Sequence, residues 1–287
     1  MMVSAQIDAH LHRLTPAERR VAAVVADDPE AVAFGTVADV ARRAGVSGAT
    51  VVRLAAKLGF DGFVELQASV REELARRLRP ASERIRRPAA GDVVGTALAV
   101  EMANVAATLE GVDRTAFEAA VSLLSGAAGR GRRRSSRVFV LSGDASSGVA
   151  ALFAAELSML RPGITLVDGS EVRVARLLAD AGPDDVAVVI DLARYDRAVI
   201  EAAGRAAERG IALVALTDSS LSPLASLAAV SFTASVTGAG PFDSHVGLLS
   251  LANALVSGVA AGLRRSATDR LDQVESAWRA AAVLVDS

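Results

Sequence analysis

The segment from Thr36 to Phe60 constrains the fold of this chain more than any other, because it encodes two short helices and the turn between them. Thr36 is predicted to cap the first helix. The apolar residues of that helix recur at helical spacing and are Val37, Val40, Ala41 and Ala44. Gly45 follows, and glycine adopts the left-handed backbone of a tight turn at little cost. The first helix is therefore predicted to end in a turn at Gly45.

A second short helix is predicted directly after this turn, with Ser47 as its capping residue. Its predicted buried face consists of Val51, Leu54, Ala55 and Leu58. The opposite face is predicted to carry Thr50, Arg53 and Lys57, with Ser47 at the tip. A short helix with polar and cationic groups near its N-terminus suits the DNA major groove. The segment therefore predicts a helix-turn-helix that binds double-stranded DNA.

Five side chains of this motif are candidates for DNA contacts. We expect Arg53 and Thr50 to contact bases, and Ser47, Thr36 and Lys57 to contact phosphates. Thr36 and Ser47 could instead act only as helix caps, and two helices packed purely for stability are the alternative for the whole segment. The net charge of -2, from 31 Lys and Arg against 33 Asp and Glu, does not decide this question. A DNA-binding surface depends on a local cluster of charge rather than on the total.

The absence of cysteine excludes disulfide bonds, thiolate zinc sites and a cysteine nucleophile. Three histidines, His10, His12 and His245, are too few for a histidine-rich metal site. We therefore predict neither a metal nor a cofactor. The N-terminus lacks a basic region followed by an apolar run, so no signal peptide is expected. The expected location is cytoplasmic, and nucleoid-associated when the protein is bound to DNA.

One uncharged segment, from Val246 to Leu263, is just long enough to span a bilayer. It also contains Asn253, two serines and several glycines, which are unfavourable for a lipid-facing helix. We expect a helix buried in a core or in a dimer interface, and no association with a membrane.

Residues 1–79 are predicted to form an all-helical domain of four or five helices. Thr15 to Glu18 form a capping box with proline at the first helical position, and Asp28-Pro29 is expected to close that helix. A further helix is predicted from Phe63 to Leu78. Residues 80–92 are predicted to be a linker, because the chain there combines two prolines with dense arginine. The linker is interpreted as a solvated connector, with additional phosphate contacts as the alternative.

The remaining chain, residues 93–287, is predicted to form an α/β domain. Two helices are expected first, near residues 93–109 and 113–124. Five apolar strands then alternate with helical segments, at residues 138–141, 164–167, 186–190, 211–216 and 230–233. Strands that are buried on both faces and joined by helices indicate a doubly wound parallel sheet. A basic cluster from Arg130 to Arg137 is predicted to be an exposed loop before the first strand.

Three polar loops follow strands of this predicted sheet, and ligands in such sheets bind at the C-terminal ends of the strands. The loops are Ser142–Gly148, Asp191–Asp196 and Thr217–Pro223. Hydroxyls and free N–H groups at a helix start can hold an anionic group. Helix capping alone would explain any one loop, but three on one edge predict a pocket for a polar ligand. The candidate effector-binding residues are Gly143, Ser146, Ser147, Asp191, Arg194, Tyr195, Thr217 and Ser219.

The chain resembles the RpiR/MurR-type bacterial transcription regulators over nearly its whole length. The resemblance rests on Leu14–Arg19, the helix-turn-helix and Leu58–Phe63, and then on Gly143–Gly148, Ala206–Thr217 and Ser222–Ala225. It implies a C-terminal sugar isomerase (SIS) domain, with a Rossmann-like fold, that binds a sugar or sugar-phosphate effector. By the same resemblance, Ser146 and Ser147 would take the place of the first-loop phosphate ligands.

The second loop departs from the SIS pattern. SIS domains often have a Ser-x-Ser-Gly-x-Thr run there, whereas this chain has Asp191-Leu-Ala-Arg194-Tyr195-Asp196. The two aspartates would repel a phosphate and Arg194 would attract one. An unphosphorylated polyol, a differently placed anion and a ligand bound through Arg194 and Tyr195 all remain open. Pro241–His245 is expected to form another pocket wall or a dimer contact.

The function predicted from these features is that of a ligand-responsive transcriptional regulator. It is expected to bind a pseudo-palindromic operator as a homodimer, with a tetramer of two such dimers as the alternative. The first alternative is an aldose–ketose sugar-phosphate isomerase, for which His245, Asp191 and Glu171 are the only candidate bases. The second is a ligand-binding or scaffold protein that has lost DNA binding. Aldose–ketose conversion by the purified protein would distinguish the isomerase from the regulator.

Overall fold

The computed structural model describes residues 3–10, 13–78, 81–86, 91–126, 136–168, 171–220 and 222–283. Its N-terminal part is entirely helical over the described residues. The helices are α1 (Val3–His10), α2 (Pro16–Asp27), α3 (Pro29–Phe34), α4 (Val37–Ala44), α5 (Gly48–Lys57) and α6 (Phe63–Leu78). The prediction of four or five helices was therefore too low, because α1 and α3 are short helices with little periodicity of their own. The bounds predicted for α6 are confirmed.

The predicted helix ends in this domain are confirmed at the positions with capping chemistry. Thr15 accepts a hydrogen bond from the Glu18 amide, and Glu18 accepts one from the Thr15 amide, which completes the capping box. Asp28 ends α2 and also accepts a hydrogen bond from the Ala31 amide, so the same residue begins α3. Gly45 adopts the left-handed conformation at the end of α4, with φ 61° and ψ 41°.

The C-terminal part contains a five-stranded sheet in which every neighbouring pair of strands is parallel. The strands are β1 (Val138–Ser142), β2 (Ile164–Val167), β3 (Val186–Ile190), β4 (Ala212–Thr217) and β5 (Val230–Thr233). Their order in the sheet is β2-β1-β3-β4-β5. The predicted doubly wound parallel sheet is confirmed, and each predicted strand lies within one residue of its observed bounds.

Nine helices of the described residues surround or precede this sheet. They are α7 (Ala81–Arg84), α8 (Val93–Glu110), α9 (Arg114–Ser125), α10 (Ser147–Leu160), α11 (Glu171–Ala179), α12 (Arg197–Glu208), α13 (Pro223–Leu227), α14 (Val246–Gly262) and α15 (Arg264–Ala281). Alternate residues of each strand point to opposite faces. Val138 and Val140 therefore join the core with α9, α10 and α14, whereas Phe139 and Leu141 join the core with α11, α12 and α13. Helices cover both faces, as predicted.

The uncharged segment from Val246 forms α14, and its buried residues join the core beneath the sheet. The prediction of a core helix is confirmed. Among the described residues, α8 is long and apolar enough to cross a membrane by length and composition, and α14 passes the same test together with the sharply bent α15. Much of α8 is exposed, including Val94, Leu98 and Met102. An apolar face of α8 therefore has no cover within the described part of one chain.

The described part of the predicted linker contains the short helix α7, and it contacts the α/β domain. Arg84 forms an ion pair of 2.5 Å with Asp243, which lies in the loop before α14. The predicted domain limits at residues 79, 80, 92 and 93 stay predictions. Most of the basic cluster at Arg130–Arg137 lies outside the described residues. Arg137 itself is described, and it pairs with Asp185 at 2.7 Å.

Candidate functional site

The helix α5 has the buried face that the sequence predicts. Val51, Leu54, Ala55 and Leu58 are all completely buried in the N-terminal core. Arg53 lies on the exposed side of the helix, as predicted. The helix α4 packs against α5 across the turn at Gly45, so the two helices form the predicted helix-turn-helix.

The prediction that Thr50 lies on the exposed face was wrong. Thr50 is only 6 % exposed, because it lies one helical turn before the fully buried Leu54. Its hydroxyl is 3.1 Å from the Ser47 hydroxyl and accepts a hydrogen bond of 3.1 Å from the Arg53 guanidinium. Thr50 therefore holds Arg53 in place rather than presenting a free hydroxyl.

Ser47 occupies the N-cap position of α5 but does not cap the helix with its side chain. Its hydroxyl contacts Thr50 instead, which leaves the first amide groups of α5 without that side-chain acceptor. Thr36, by contrast, caps α4 as predicted and forms a full capping box with Asp39. Hydrogen bonds from Thr36, together with Arg42, lower the pKa of Asp39 to about 2. Ser47 and Thr36 are both exposed.

Lys57 forms an ion pair within the N-terminal domain. Its ammonium group lies 2.9 Å from the carboxylate of Glu18, which is buried at the start of α2. A hydrogen bond from the Thr15 amide and another from Lys57 lower the pKa of Glu18. The expected phosphate contact of Lys57 would have to compete with this ion pair. The sequence predicts only a capping role for Glu18, because no local pattern indicates its ion pair with Lys57 in a distant helix.

The strand order places the three predicted ligand loops at one edge of the sheet. For an order of 2-1-3-4-5, the connections leave in opposite directions from β1 and β3, and sheets of this topology bind ligands in a crevice between the C-terminal ends of these two strands. Ser142 pairs with Ile190 in this register, so Gly143 and Asp191 follow as neighbours. The Gly143 amide donates to the Ile190 carbonyl at 3.2 Å. The first two loops therefore meet at this crevice.

Asp191 fills the space between these two loops. It is buried, and its carboxylate accepts hydrogen bonds from the Leu192 amide at 2.9 Å and from the Asp196 amide at 2.7 Å. A Cβ atom at Gly143 would overlap this carboxylate, which explains why glycine suits that position. Burial raises the pKa of Asp191 despite the two amide donors, and the negative charges of Asp196 and Asp218 add to the increase.

The first loop contributes a buried hydroxyl. Ser146 is completely buried, and its Oγ has no hydrogen-bond partner within the described residues. Ser146 also occupies the N-cap position of α10 without a side-chain capping bond. The neighbouring Ser147 is exposed. A buried hydroxyl without a partner is uncommon in folded proteins, because its desolvation is not compensated.

The second and third loops are connected by Tyr195. Its hydroxyl donates to the carboxylate of Asp218 at 2.7 Å, and Thr217 donates to the same oxygen at 3.4 Å. Thr217 and Ser219 are both completely buried. Arg194 is exposed and adopts a left-handed φ of 73°, which turns the loop before Tyr195. Asp218 was missing from the predicted site, although its place directly after a buried strand was a sufficient signal.

The three candidate isomerase bases lie in different surroundings. Asp191 already accepts two amide hydrogen bonds, and Glu171 is exposed at the start of α11. His245 precedes α14, where its Nε2 is buried without a partner among the described residues. The structure gives no hydrogen bond among these three side chains. In the Pro241–His245 segment, Asp243 pairs with Arg84 and Ser244 bonds Glu101.

Family models match both parts of the chain in the predicted order. Residues 1–77 match the helix-turn-helix domain of the rpiR family, and residues 133–258 match the SIS domain. The chain therefore carries an rpiR-family helix-turn-helix domain followed by a SIS domain. This domain organisation confirms the resemblance seen in the sequence, and the protein is a regulator with an N-terminal helix-turn-helix and a C-terminal SIS domain.

Relatives of this chain are named as transcriptional regulators. The uncharacterized HTH-type transcriptional regulator YbbH of Bacillus subtilis is 26 % identical over 94 % of this chain and 95 % of its own length. The HTH-type transcriptional regulator HexR of Pseudomonas aeruginosa is 29 % identical over 77 % of this chain and 74 % of its own length.

Solved structures agree with the fold. The sugar isomerase domain of an RpiR transcription factor from Sphaerobacter thermophilus is 29 % identical, with a TM-score of 0.58 over 63 % of this chain and 97 % of that chain. The Vibrio vulnificus NanR protein, solved in complex with ManNAc-6P, is 21 % identical, with a TM-score of 0.58 over 99 % of this chain and 100 % of that chain.

Proposed function

We propose that this regulator binds a pseudo-palindromic DNA operator as a homodimer and responds to a carbohydrate-type effector in the crevice between β1 and β3. The observation that carries the proposal is the presence of a solvent-facing recognition helix in the same chain as a strand-end crevice with unmatched polar groups. The protein would act in the cytoplasm, on the nucleoid, where its operator lies.

The DNA contact would be made by α5. Arg53 is exposed and is oriented by the Thr50 hydroxyl, so its guanidinium is partly preorganised for a base edge. The amides at the uncapped start of α5, together with the exposed hydroxyls of Ser47 and Thr36, would contact phosphates. Lys57 would contribute less than predicted from the sequence, because Glu18 holds its ammonium group.

The exposed apolar face of α8 supports a dimer. Val94, Leu98 and Met102 recur every four residues, so they lie on one side of the helix, and Val94 is 80 % exposed. A second copy of this chain would cover such a face and would also supply the second recognition helix that a two-part operator requires. Leu98→Glu is therefore expected to yield a monomer in analytical ultracentrifugation. Val172→Glu, at an equally apolar and exposed position on α11, should leave the dimer intact, and equal dissociation by both variants would refute this interface.

The effector would bind among the strand-end loops. Gly143 and Asp191 are neighbours at the crevice, and Ser146 follows Gly143 in the first loop. Tyr195 follows β3 and bonds Asp218, whereas Thr217 and Ser219 lie at the end of β4. Ser147 and Arg194 are exposed at its margin, where they could contact a larger ligand. Because effector and operator affinities are linked, an effector that weakens DNA binding must itself bind the DNA-bound protein more weakly.

The experiment that tests this proposal is equilibrium binding of the purified chain to the DNA upstream of its own gene, at two salt concentrations. We expect sequence-selective binding that weakens at higher salt, because phosphate contacts release counterions. A panel of sugars and sugar phosphates would then be added. Equal binding to unrelated DNA of the same length would refute the regulator proposal.

We further propose that the chain has no isomerase activity. The regulators named above are its relatives, and the candidate bases Asp191, Glu171 and His245 form no pair. An aldose–ketose assay with the purified protein checks this. Turnover that disappears in the Asp191→Asn variant would contradict it.

A further inference from the structure

We infer that the effector crevice is built to exclude a phosphate group at the start of α12 and to accept an unphosphorylated polyhydroxy compound, because the carboxylate of Asp191 already occupies the place of the anion. This inference rests on the proposed function for its effector, but the exclusion of phosphate is a property of the crevice that can be measured without DNA.

Three amide groups before and at this helix start already have carboxylate acceptors within the chain. An incoming phosphate would need the free N–H groups before and within the first turn of α12. The Leu192 and Asp196 amides donate to Asp191, and the Ala198 amide donates to Asp196 at 2.9 Å. Two carboxylates of the chain, Asp191 and Asp196, therefore already accept from amides that a phosphate at this place would need.

The charge around the crevice also opposes a phosphate. Asp218 and Asp196 lie close enough to Asp191 to raise its pKa. Asp144 in the first loop is exposed, so its charge is screened by solvent. The cation in these loops, Arg194, is exposed rather than buried beside Asp191. A dianionic group placed in the crevice would therefore meet uncompensated negative charge in a poorly solvated position.

The unmatched groups of the crevice suit a neutral polyol instead. The Ser146 hydroxyl is completely buried without a partner among the described residues, so a ligand hydroxyl could supply its missing hydrogen bond. The carboxylates of Asp191 and Asp218 retain acceptor capacity beyond the bonds described above, and each could accept from a ligand hydroxyl. A compound rich in hydroxyls donates to carboxylates without adding charge.

The test uses the full-length protein, with inorganic phosphate as the probe at constant ionic strength. The variants are Asp191→Ser, which restores a hydroxyl of the kind found in SIS phosphate loops, and Asp191→Asn, which removes the charge at nearly constant size. Asp144→Asn is the matched control, because it removes one charge from the same edge without freeing a backbone amide. Trp278 is the only tryptophan and lies on α15, so its fluorescence follows the unfolding of the effector domain.

We expect no saturable phosphate binding by the wild-type protein or by Asp144→Asn. Asp191→Ser, or Asp191→Asn if the serine variant does not fold, should gain phosphate affinity by about tenfold or more, since a like charge is removed from the site. The inference is overturned if wild-type protein binds phosphate as tightly as these variants. It is also overturned if neither variant gains affinity, or if Asp144→Asn gains as much.

A second arm compares free polyols with their phosphate esters, such as myo-inositol with myo-inositol 1-phosphate. Greater stabilisation of the wild-type protein by any ester than by its parent polyol would overturn the inference. The DNA-binding experiment is independent of both arms. If the protein does not bind its operator selectively but still excludes phosphate, the regulator proposal is refuted and the inference about the crevice is not.

Discussion

The polar side chains of the recognition helix α5 have partners within the protein, whereas those of the crevice between β1 and β3 are less fully paired. On α5, Thr50 forms hydrogen bonds with Ser47 and Arg53, and Lys57 forms an ion pair with Glu18. In the crevice, Asp191 has amide donors but no cation, and Ser146 has no partner among the described residues.

The pKa shifts of two buried carboxylates, Glu18 and Asp191, have opposite directions and show the same contrast. The pKa of Glu18 is lowered, because an amide and an ammonium group compensate its charge. The pKa of Asp191 is raised, because burial outweighs its two amide donors. Groups whose pKa is shifted by burial without a compensating charge are often found at functional sites. Glu18 therefore contributes to stability, whereas the raised pKa of Asp191 supports the proposal that this residue acts in ligand selection.

The largest expected effect is the loss of operator binding on removal of Arg53. Arg53→Ala should weaken selective binding by about 1–3 kcal/mol if the guanidinium contacts a base. The free energy of unfolding should stay unchanged, because Arg53 is exposed. Fluorescence anisotropy with labelled operator DNA measures the effect. Arg265→Ala, an exposed arginine on α15, is the control, and equal losses in both variants would mean that Arg53 makes no specific contact.

Removal of Lys57 should affect stability more than DNA binding. Lys57→Met leaves the Glu18 carboxylate buried without its cation, which should cost about 1–2 kcal/mol of the N-terminal domain's stability, since Lys57 is partly solvated. Denaturant unfolding followed by circular dichroism gives this value. Lys57→Arg should restore most of it. A large loss of operator affinity in a fully folded Lys57→Met protein would instead indicate that Lys57 contacts the DNA.

Gly143→Ala tests the close approach of the first two loops. The added Cβ would displace the Asp191 carboxylate and should destabilise the effector domain by about 1 kcal/mol or more. The same substitution in an Asp191→Ser background should cost much less, since the shorter side chain leaves room. A double-mutant cycle measures this coupling. Additive effects of the two substitutions would show that the loops do not meet as described.

The smallest effect is the pH dependence of the two carboxylates. Asp191 has a raised pKa, so its ionisation costs stability at neutral pH, and that cost disappears as the pH falls through its pKa. Glu18 has a lowered pKa, so its contribution is present at neutral pH and is lost in acid. Unfolding followed by Trp278 should show a smaller gain on mild acidification for Asp191→Asn than for wild type. Identical pH profiles would contradict the raised pKa.

The strands could be predicted within one residue, because apolar runs buried on both faces leave few alternative assignments. The short helices α1 and α3 were not predicted, because helices of 8 and 6 residues contain too few turns to show a periodic pattern. The burial of Thr50 was visible in principle, because it precedes Leu54 by one helical turn. The Lys57–Glu18 pair was not visible, since 39 residues separate its members and only packing brings them together.

The position of the three loops at the C-terminal strand ends is confirmed, whereas their role as an effector site stays a prediction. The strand pattern predicted all three loops on one edge of the sheet, and the register of β1 and β3 shows in addition that the first two are neighbours. The sequence could show that Asp191 stands where SIS domains often have a serine. It could not show that this carboxylate binds the Leu192 and Asp196 amides, because those bonds depend on the path of the loop.

The most direct test of the whole account is a linkage measurement on the full-length protein. Operator affinity would be measured by anisotropy while free polyols and their phosphate esters are titrated, for wild type and for Ser146→Ala. We predict that an unphosphorylated compound shifts operator affinity, and that Ser146→Ala weakens this response without changing DNA binding when the compound is absent. A shift produced by a phosphate ester alone, unaffected by Ser146→Ala, would contradict it.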